Sequence, residues 1–390
     1  MKRGICFAMA VVLLAAVLSA CGGGSSSSSS SSGSSSSEGE TGETGTKTTS
    51  DESGGSSSGS GEKVVLGESF CYLDNAGMVT YREAETATAE ELGWEVLQPT
   101  NAETDQGKQI SDIENLINEG ATTLDIHQCT AAGVVTGIEK ANAAGIPVFI
   151  PDQAAEGGEV AITVGVENVE SAEMACEQFL KMEKERGNTE LTGEVIMVQG
   201  EIGSEAELTR NKGFEDCMSK EAPNMKILIA PTKWDGESAA SGVRTLLNSA
   251  QDLRGIFLQS DIAFSTAVEQ VLESSGKIKP PEDPEHLIVF GIDGGCEMLN
   301  YIREGKSDFT VSSPLNQYGP IGLPFLQLAL EEKLEEVKPG TKSTLPSSKG
   351  LPITKISTGL KVIAPPTMMT KQNVNDPEQW SNASGCEPTA

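Results

Sequence analysis

Short apolar runs and helix-length amphipathic stretches alternate along the chain from residue 62 onward. Runs at Lys63–Leu66 continuing toward Phe70–Leu73, and at Thr123–Ile126, Pro147–Ile150, Ala161–Val164, Glu194–Val198, Lys226–Ile229, Gly255–Leu258 and Leu287–Phe290, read as buried strands. Between them the pattern predicts helices near 79–92, 107–119, 131–143, 168–186, 205–221, 237–249, 262–274, 295–304 and 317–335. Regular strand and helix alternation implies an α/β fold with parallel sheets covered on both faces. The 329 residues after position 61 (390 minus 61) exceed what one core normally supports, so two doubly wound lobes are expected.

The first 61 residues follow a different pattern. Lys2 and Arg3 precede an apolar run from Ile5 to Leu18, too short for a comfortable membrane span, and residues 1–20 read as a secretory signal. Leu18-Ser19-Ala20-Cys21 resembles the bacterial lipobox, which makes Cys21 the acylated first residue of the mature chain; a plain signal cut at Ala20 is the alternative. Residues 22–61 comprise 18 Ser, 11 Gly, 5 Thr, 4 Glu, 1 Asp and 1 Lys, too little apolar surface to offset ordering entropy. Residues 21–61 are therefore expected to form a lipidated, disordered tether with a span of roughly 35 Å. Gly55-Ser-Ser57-Ser-Gly59 matches the nucleophile-elbow pattern only as text, because no strand precedes it and no helix follows.

With 28 basic against 57 acidic side chains the formal charge is −29, which argues against nucleic acid as a partner. In open parallel sheets ligands bind beyond the carboxyl ends of strands. Asn75, His127-Gln128, Asp152-Gln153, Ser260-Asp261 and Asp293 all stand at such ends. Taken singly, each is better explained as a helix cap or turn former, the commonest use of those residue types.

The order of several motifs adds to this. Leu92-Gly93-Trp94, Ile126-His-Gln, Ala144-Gly145-Ile146-Pro147-Val148 leading into Pro151-Asp152, Gln199-Gly200 followed by Arg210-Asn-Lys-Gly213-Phe214, Leu258-Gln259-Ser260-Asp261 and Phe290-Gly291-Ile292-Asp293-Gly294 together resemble the type I periplasmic binding proteins. The branch resembled most is that of the ribose and galactose receptors of ABC importers, over about residues 65 to 363. The resemblance implies two lobes joined by three crossovers near 165–168, 313–315 and 355–358. Lobe one would combine 62–165 with 314–355, and lobe two 167–312 with 358–390. Ligand would bind between the lobes as the hinge closes.

Carried over by position, Asn75, Asp152, Trp234 and Asp293 match the family's pocket residues. Their chemistry suits a polyol: a carboxylate accepts from two neighbouring hydroxyls, and an indole offers a flat face to the C–H side of a sugar ring. Gln153 and Leu208 stand where ribose-like members have arginines, Ser260 stands for an asparagine, and Gly77 and Met78 replace aromatic residues. Arg210 lies two residues from a missing arginine and either substitutes for it or is a helix-surface charge. Ligand contacts are thus expected from Asn75, Asp152, Trp234, Asp293, Gln153, Ser260, Met78, His127 and Arg210. An acidic pocket disfavours anions, leaving a neutral sugar or, otherwise, an amine, nucleoside or signal furanone.

Beyond Cys6 and Cys21 there are six cysteines, Cys71, Cys129, Cys176, Cys217, Cys296 and Cys386, which invite disulfides outside the cytoplasm in any of 15 pairings. The lobe assignment implied by the resemblance narrows these to Cys71 with Cys129, Cys176 with Cys217 and Cys296 with Cys386. No C-x-x-C occurs, and His127 and His286 are isolated, so no metal and no cofactor is expected. His286, just before an apolar strand, is expected to face solvent. No P-loop, H-E-x-x-H or dinucleotide glycine motif occurs in the body. The expectation is a monomeric, lipid-anchored, extracytoplasmic binder that serves ABC permease subunits. A receptor for a membrane sensor, or a sugar-processing enzyme using Asp152 and Asp293, are the competing classes.

Overall fold

The computed structural model describes residues 63–73 and 76–386. The expected signal and tether, Cys21 and Asn75 lie outside the described residues. In chain order the first elements are β1 (Val65–Phe70), α1 (Ala76–Glu91), β2 (Glu95–Val96), β3 (Thr100–Asn101), α2 (Gln106–Asn118), β4 (Thr123–His127), α3 (Val135–Ala143), β5 (Val148–Pro151) and β6 (Val160–Gly165). There follow α4 (Asn168–Glu185), β7 (Gly193–Glu201), α5 (Glu205–Glu221), β8 (Met225–Thr232), α6 (Gly236–Ser249), β9 (Leu253–Leu258), α7 (Asp261–Ser274), β10 (Ile288–Asp293), α8 (Cys296–Glu304) and β11 (Phe309–Ser312). The chain ends with α9 (Leu315–Leu330), β12 (Ile353–Lys355), β13 (Gly359–Ile363), β14 (Thr367–Thr370) and α10 (Trp380–Ala383).

Two sheets result. Lobe one has the order β12-β13-β6-β5-β4-β1-β2, with β3 also paired to β1; lobe two has β14-β11-β10-β9-β7-β8. Pairing is parallel except between β12 and β13 and between β11 and β14. Both faces of each sheet are buried, and successive side chains divide between them as the pleat requires. On β7, Val195 and Met197 enter the core beneath α4 and α5, while Ile196 and Val198 enter the one beneath α6 and α7. On β5, Phe149 faces α1 and α9, whereas Val148 and Ile150 face α2 and α3. In lobe two Phe290 stacks on Phe179, Phe257 and Phe309 with centroids 5.1, 5.3 and 4.9 Å away, so much of a small aromatic complement is spent at one place.

The chain passes between lobes after β6, after β11 and after β13. The third passage was expected near 355–358 but comes at 364–366, because Gly359–Ile363 hydrogen-bonds to β6 and extends the sheet of lobe one. Each of three disulfides lies within a lobe. Cys71–Cys129 joins the ends of the paired strands β1 and β4, Cys176–Cys217 joins α4 to α5, and Cys296–Cys386 fixes the C-terminal segment to α8. Among the described residues no helix is long and apolar enough to cross a membrane.

Candidate functional site

The carboxyl ends of the strands of both lobes converge on the passages between them, and three of the expected residues there adopt left-handed backbone conformations. Asp152 after β5, Trp234 after β8 and Asp293 at the end of β10 have φ of +66°, +59° and +109°. Non-glycine residues hold such angles at a cost, and they collect where side chains must be aimed. Small neighbours make room for two of them. A methyl group on Gly165 would sit 2.1 Å from the Asp152 carbonyl, and one on Gly200 would sit 2.1 Å from the Trp234 ring.

Asp293 is the centre of the lobe-two half. Its Oδ1 accepts from Arg210 Nη2 at 2.9 Å, and its Oδ2 accepts from Ser260 Oγ at 2.5 Å. Arg210 is only 7% exposed, which corrects the reading of it as a helix-surface charge. Its Nε donates to Asn168 Oδ1 at 2.9 Å and its Nη1 to the Gln259 carbonyl, so all three guanidinium nitrogens are engaged. Ser260 also caps α7 by accepting from the Ala263 amide, so the cap and the hydrogen bond to Asp293 share one hydroxyl. Asp261, fully buried beside it, accepts from the amides of Gly294 and Gly295 at 3.0 and 2.8 Å and from the Thr310 hydroxyl. Burial, and then the charge of Asp293, push the Asp261 carboxyl up to about 8.

Asp152 is the matching carboxyl of lobe one. Burial raises it above the usual carboxylate range, against the opposing pull of Arg210 and Lys361. Burial likewise raises Asp293, opposed by Arg210 and by the Ser260 hydrogen bond, with Asp152 adding to the rise. The two carboxyls and Arg210 therefore act on one another across the lobes. Desolvation and then Asp152 also raise Glu205 on the first turn of α5. Lys361 on β13 completes the charge set by pairing with Glu167 at 2.6 Å in the first passage between lobes. Acids outnumber bases in this group, as the acidic composition led one to expect.

The other expected residues are placed less directly. His127 stacks on Phe70 (6.1 Å) and lies edge-on to Tyr72 (5.6 Å), and burial pushes its imidazole down to about 4. Gln153 is half-buried, and its carbonyl accepts from Gln128 Nε2 at 3.0 Å. Met78 packs in the core of lobe one beneath α1. Trp234 lies flat against Phe264, centroids 5.8 Å apart and planes 5° apart, so one indole face is occupied by lobe two itself.

Several supporting residues of the site gain their role only through tertiary contact. Asn168, Gln259 and Asn211 support Arg210 or its neighbours: Gln259 Oε1 accepts from the Gly200 amide at 2.9 Å, and its Nε2 donates to Asn211 Oδ1 at 2.5 Å. Tyr318 on α9 is fully buried, and its hydroxyl makes no hydrogen bond of normal geometry, although the Val166 amide approaches it. The charges of Asp152, Asp293 and Arg210 all reach it. Arg210-Asn211 and Gln259-Ser260 stood within the quoted motifs, but only tertiary contact assigns their partners. His286, expected in solvent, is instead 4% exposed at the far end of lobe two, between the Lys279 carbonyl and Asp308, because the segment before β10 folds back over it. Among the described residues no group of three or more His, Cys, Asp or Glu is arranged to hold a metal ion.

The chain is similar to several known proteins. The ribose import binding protein of Bacillus subtilis (strain 168) is 28% identical over 254 residues, 65% of this chain and 77% of that protein. The xylitol-binding protein of Mycolicibacterium smegmatis is 26% identical over 250 residues, 64% of each chain. An ABC transporter solute binding protein from Mycobacterium smegmatis, solved with bound glycerol, superposes with a TM-score of 0.64 at 23% identity, covering 80% of this chain and 96% of that one. The periplasmic binding protein domain matches residues 69–334, from the end of β1 to beyond α9. With both lobes, their mostly parallel sheets and the motif order in agreement, the chain belongs to the type I periplasmic binding proteins, in the ribose- and galactose-like branch, a family of solute binders and not of enzymes.

Proposed function

We propose that this protein is a lipid-anchored, extracytoplasmic solute-binding protein that captures a neutral sugar or polyol between its lobes and delivers it to the permease subunits of an ABC importer. The observation that carries the ligand class is the Asp293 carboxylate, oriented by Arg210 and Ser260 and set against Asp152 of the other lobe. Two carboxylates that accept only, and an arginine already engaged by Asp293, suit vicinal hydroxyls, and among the described residues of the site both cations, Arg210 and Lys361, are paired. Relatives named for ribose and xylitol point the same way. Cys21 would carry the acyl chains, residues 22–61 would give the body its reach, and the body would act as a monomer.

A thermal-shift screen of the stripped protein against pentoses, hexoses, polyols, amines and nucleosides tests the reading. At a hundredfold excess over Kd a true ligand adds about 2.7 kcal/mol, enough to raise the midpoint by several degrees. The reading requires a shift with a neutral sugar or polyol that is lost in Asp293→Ala. A shift with an amine or nucleoside alone replaces the ligand class.

A further inference from the structure

The segment after β14 lies beyond the residues that the family match covers, yet it is built into the ligand-facing end of lobe two. Gln379, Trp380 and Ser381 are buried there. Trp380 Nε1 donates to the Asp293 carbonyl at 2.9 Å, Gln379 Nε2 to the Gly294 carbonyl at 2.9 Å and Ser381 Oγ to the same carbonyl at 2.7 Å. The turn that presents Asp293 is therefore held from two sides, its amides by Asp261 and its carbonyls by the tail.

The tail is itself anchored. Besides Cys296–Cys386, Arg303 on α8 donates through Nε to Asn375 Oδ1 at 2.8 Å and through Nη2 to the Val374 carbonyl at 3.1 Å. From this anchored position it reaches the other lobe. The Ser384 hydroxyl shares a hydrogen bond with the Thr80 hydroxyl on α1, and Asn316 Nδ2 at the start of α9 donates to the Glu378 carbonyl at 3.3 Å. Separation of the lobes must break these contacts or move the tail away from Asp293.

We propose that residues 378–386 form a fourth connection between the lobes, and that Gln379 and Trp380 are positioning residues for the Asp293 turn. The second half rests on Asp293 facing ligand, as argued above. The connection itself is independent of what the ligand is. Its consequence is that lobe opening is governed by a disulfide-anchored segment in addition to the three covalent passages.

The test uses the full ligand-free chain, so its outcome does not depend on finding the sugar. Amide hydrogen exchange and small-angle scattering would be compared for wild type, Ser384→Ala, Thr80→Ala and Trp380→Phe. Loss of one hydrogen bond is expected to speed exchange about fivefold. In Ser384→Ala and Thr80→Ala that acceleration should appear in 76–85 and 378–386 with a larger radius of gyration, while 293–295 stay protected. In Trp380→Phe it should appear at 293–295, and the Asp293 carboxyl titration followed by carbon NMR should move, whereas Ser384→Ala leaves that titration in place. Exchange and radius in both hydroxyl variants equal to wild type would overturn the connection. Unchanged 293–295 exchange and an unmoved Asp293 titration in Trp380→Phe would overturn the positioning role. If Trp380→Phe does not fold, Ser381→Ala removes a donor to the same turn and is read in the same way.

Discussion

Arg210 Nη2 lies 2.9 Å from Asp293 Oδ1, and this pair is nearly closed off from solvent at the place where the two lobes meet. A buried charge whose partner is removed loses its compensation, which costs about 3–5 kcal/mol. Arg210→Met should therefore lower the unfolding free energy by about 3 kcal/mol or more, and should abolish the ligand-induced thermal shift. The double variant Arg210→Met with Asp293→Asn should regain most of the stability without regaining binding. Urea unfolding of the three proteins checks this, and a loss below about 1 kcal/mol in the single variant would show that the pair is not desolvated as described.

His286 should make the protein less stable in alkali. Its Nδ1 lies 2.7 Å from the Lys279 carbonyl and its Nε2 lies 3.0 Å from Asp308 Oδ1, two acceptors that only the doubly protonated ring satisfies. Burial works against that cation, but the hydrogen bond and charge of Asp308 outweigh it and raise the imidazole above its ordinary value. The contribution is thus complete below the unfolded pKa of about 6.5 and is lost as pH rises through the higher folded value. Unfolding curves between pH 5 and 9 should show this loss in wild type and a flatter profile in Asp308→Asn.

A buried carboxyl cluster in lobe one should give a second loss of stability with rising pH, one that begins at a lower pH. Glu85 on α1, Asp125 on β4 and Glu68 on β1 are all fully buried, with Tyr81 donating to Asp125 at 2.9 Å and Arg82 to Glu68 at 3.2 Å. Both Glu85 oxygens lack a donor, which is the situation of a protonated acid. Burial raises all three groups, Asp125 to about 8, so the folded state holds protons that the unfolded chain releases near pH 4. Stability therefore falls as pH climbs from about 4 toward the folded values. Glu85→Gln, whose amide stays neutral at every pH, should be more stable than wild type at pH 8, with the difference shrinking toward pH 4. Equal stability across that range would mean that Glu85 is ionised in the fold.

The disulfide Cys176–Cys217 closes a loop across a sequence separation of 41 and ties α4 to α5, the helix that carries Arg210. By chain entropy alone its loss costs about 4 kcal/mol. Replacing both cysteines by serine should lower the denaturant midpoint accordingly, and should lower ligand affinity as well if α5 loosens. Calorimetry and titration on the same preparation separate the two effects.

The alternation of elements was legible along the chain because most inner strands are buried on both faces and so appear as nearly uninterrupted apolar runs. Val195–Val198 is such a run, and it lies inside the sheet of lobe two, between β9 and β8. Several short strands were not legible. Phe309–Ser312 and Gly359–Ile363 have four and five residues, and each is recognisable only through its partner, β10 or β6. That is why the third passage was placed some residues early. Arg210 shows the same limit at the site. Helical spacing leaves its burial open, and it is settled by the close approach of α4 to α5 at Gly213, where a methyl group would meet the Val169 carbonyl at 2.2 Å.

Local pattern was sufficient for the fold class, the two lobes and the strand-end carboxylates, since periodicity, turn chemistry and the order of motifs are properties of neighbouring residues. Partnership was decided in three dimensions: Arg210 with Asp293, His286 with Asp308, the protons held among Glu68, Glu85 and Asp125, and the reach of Ser384 to Thr80. Each joins residues distant along the chain, and each depends on burial, which sets the strength of a charge or hydrogen bond and exists only once the lobes have packed.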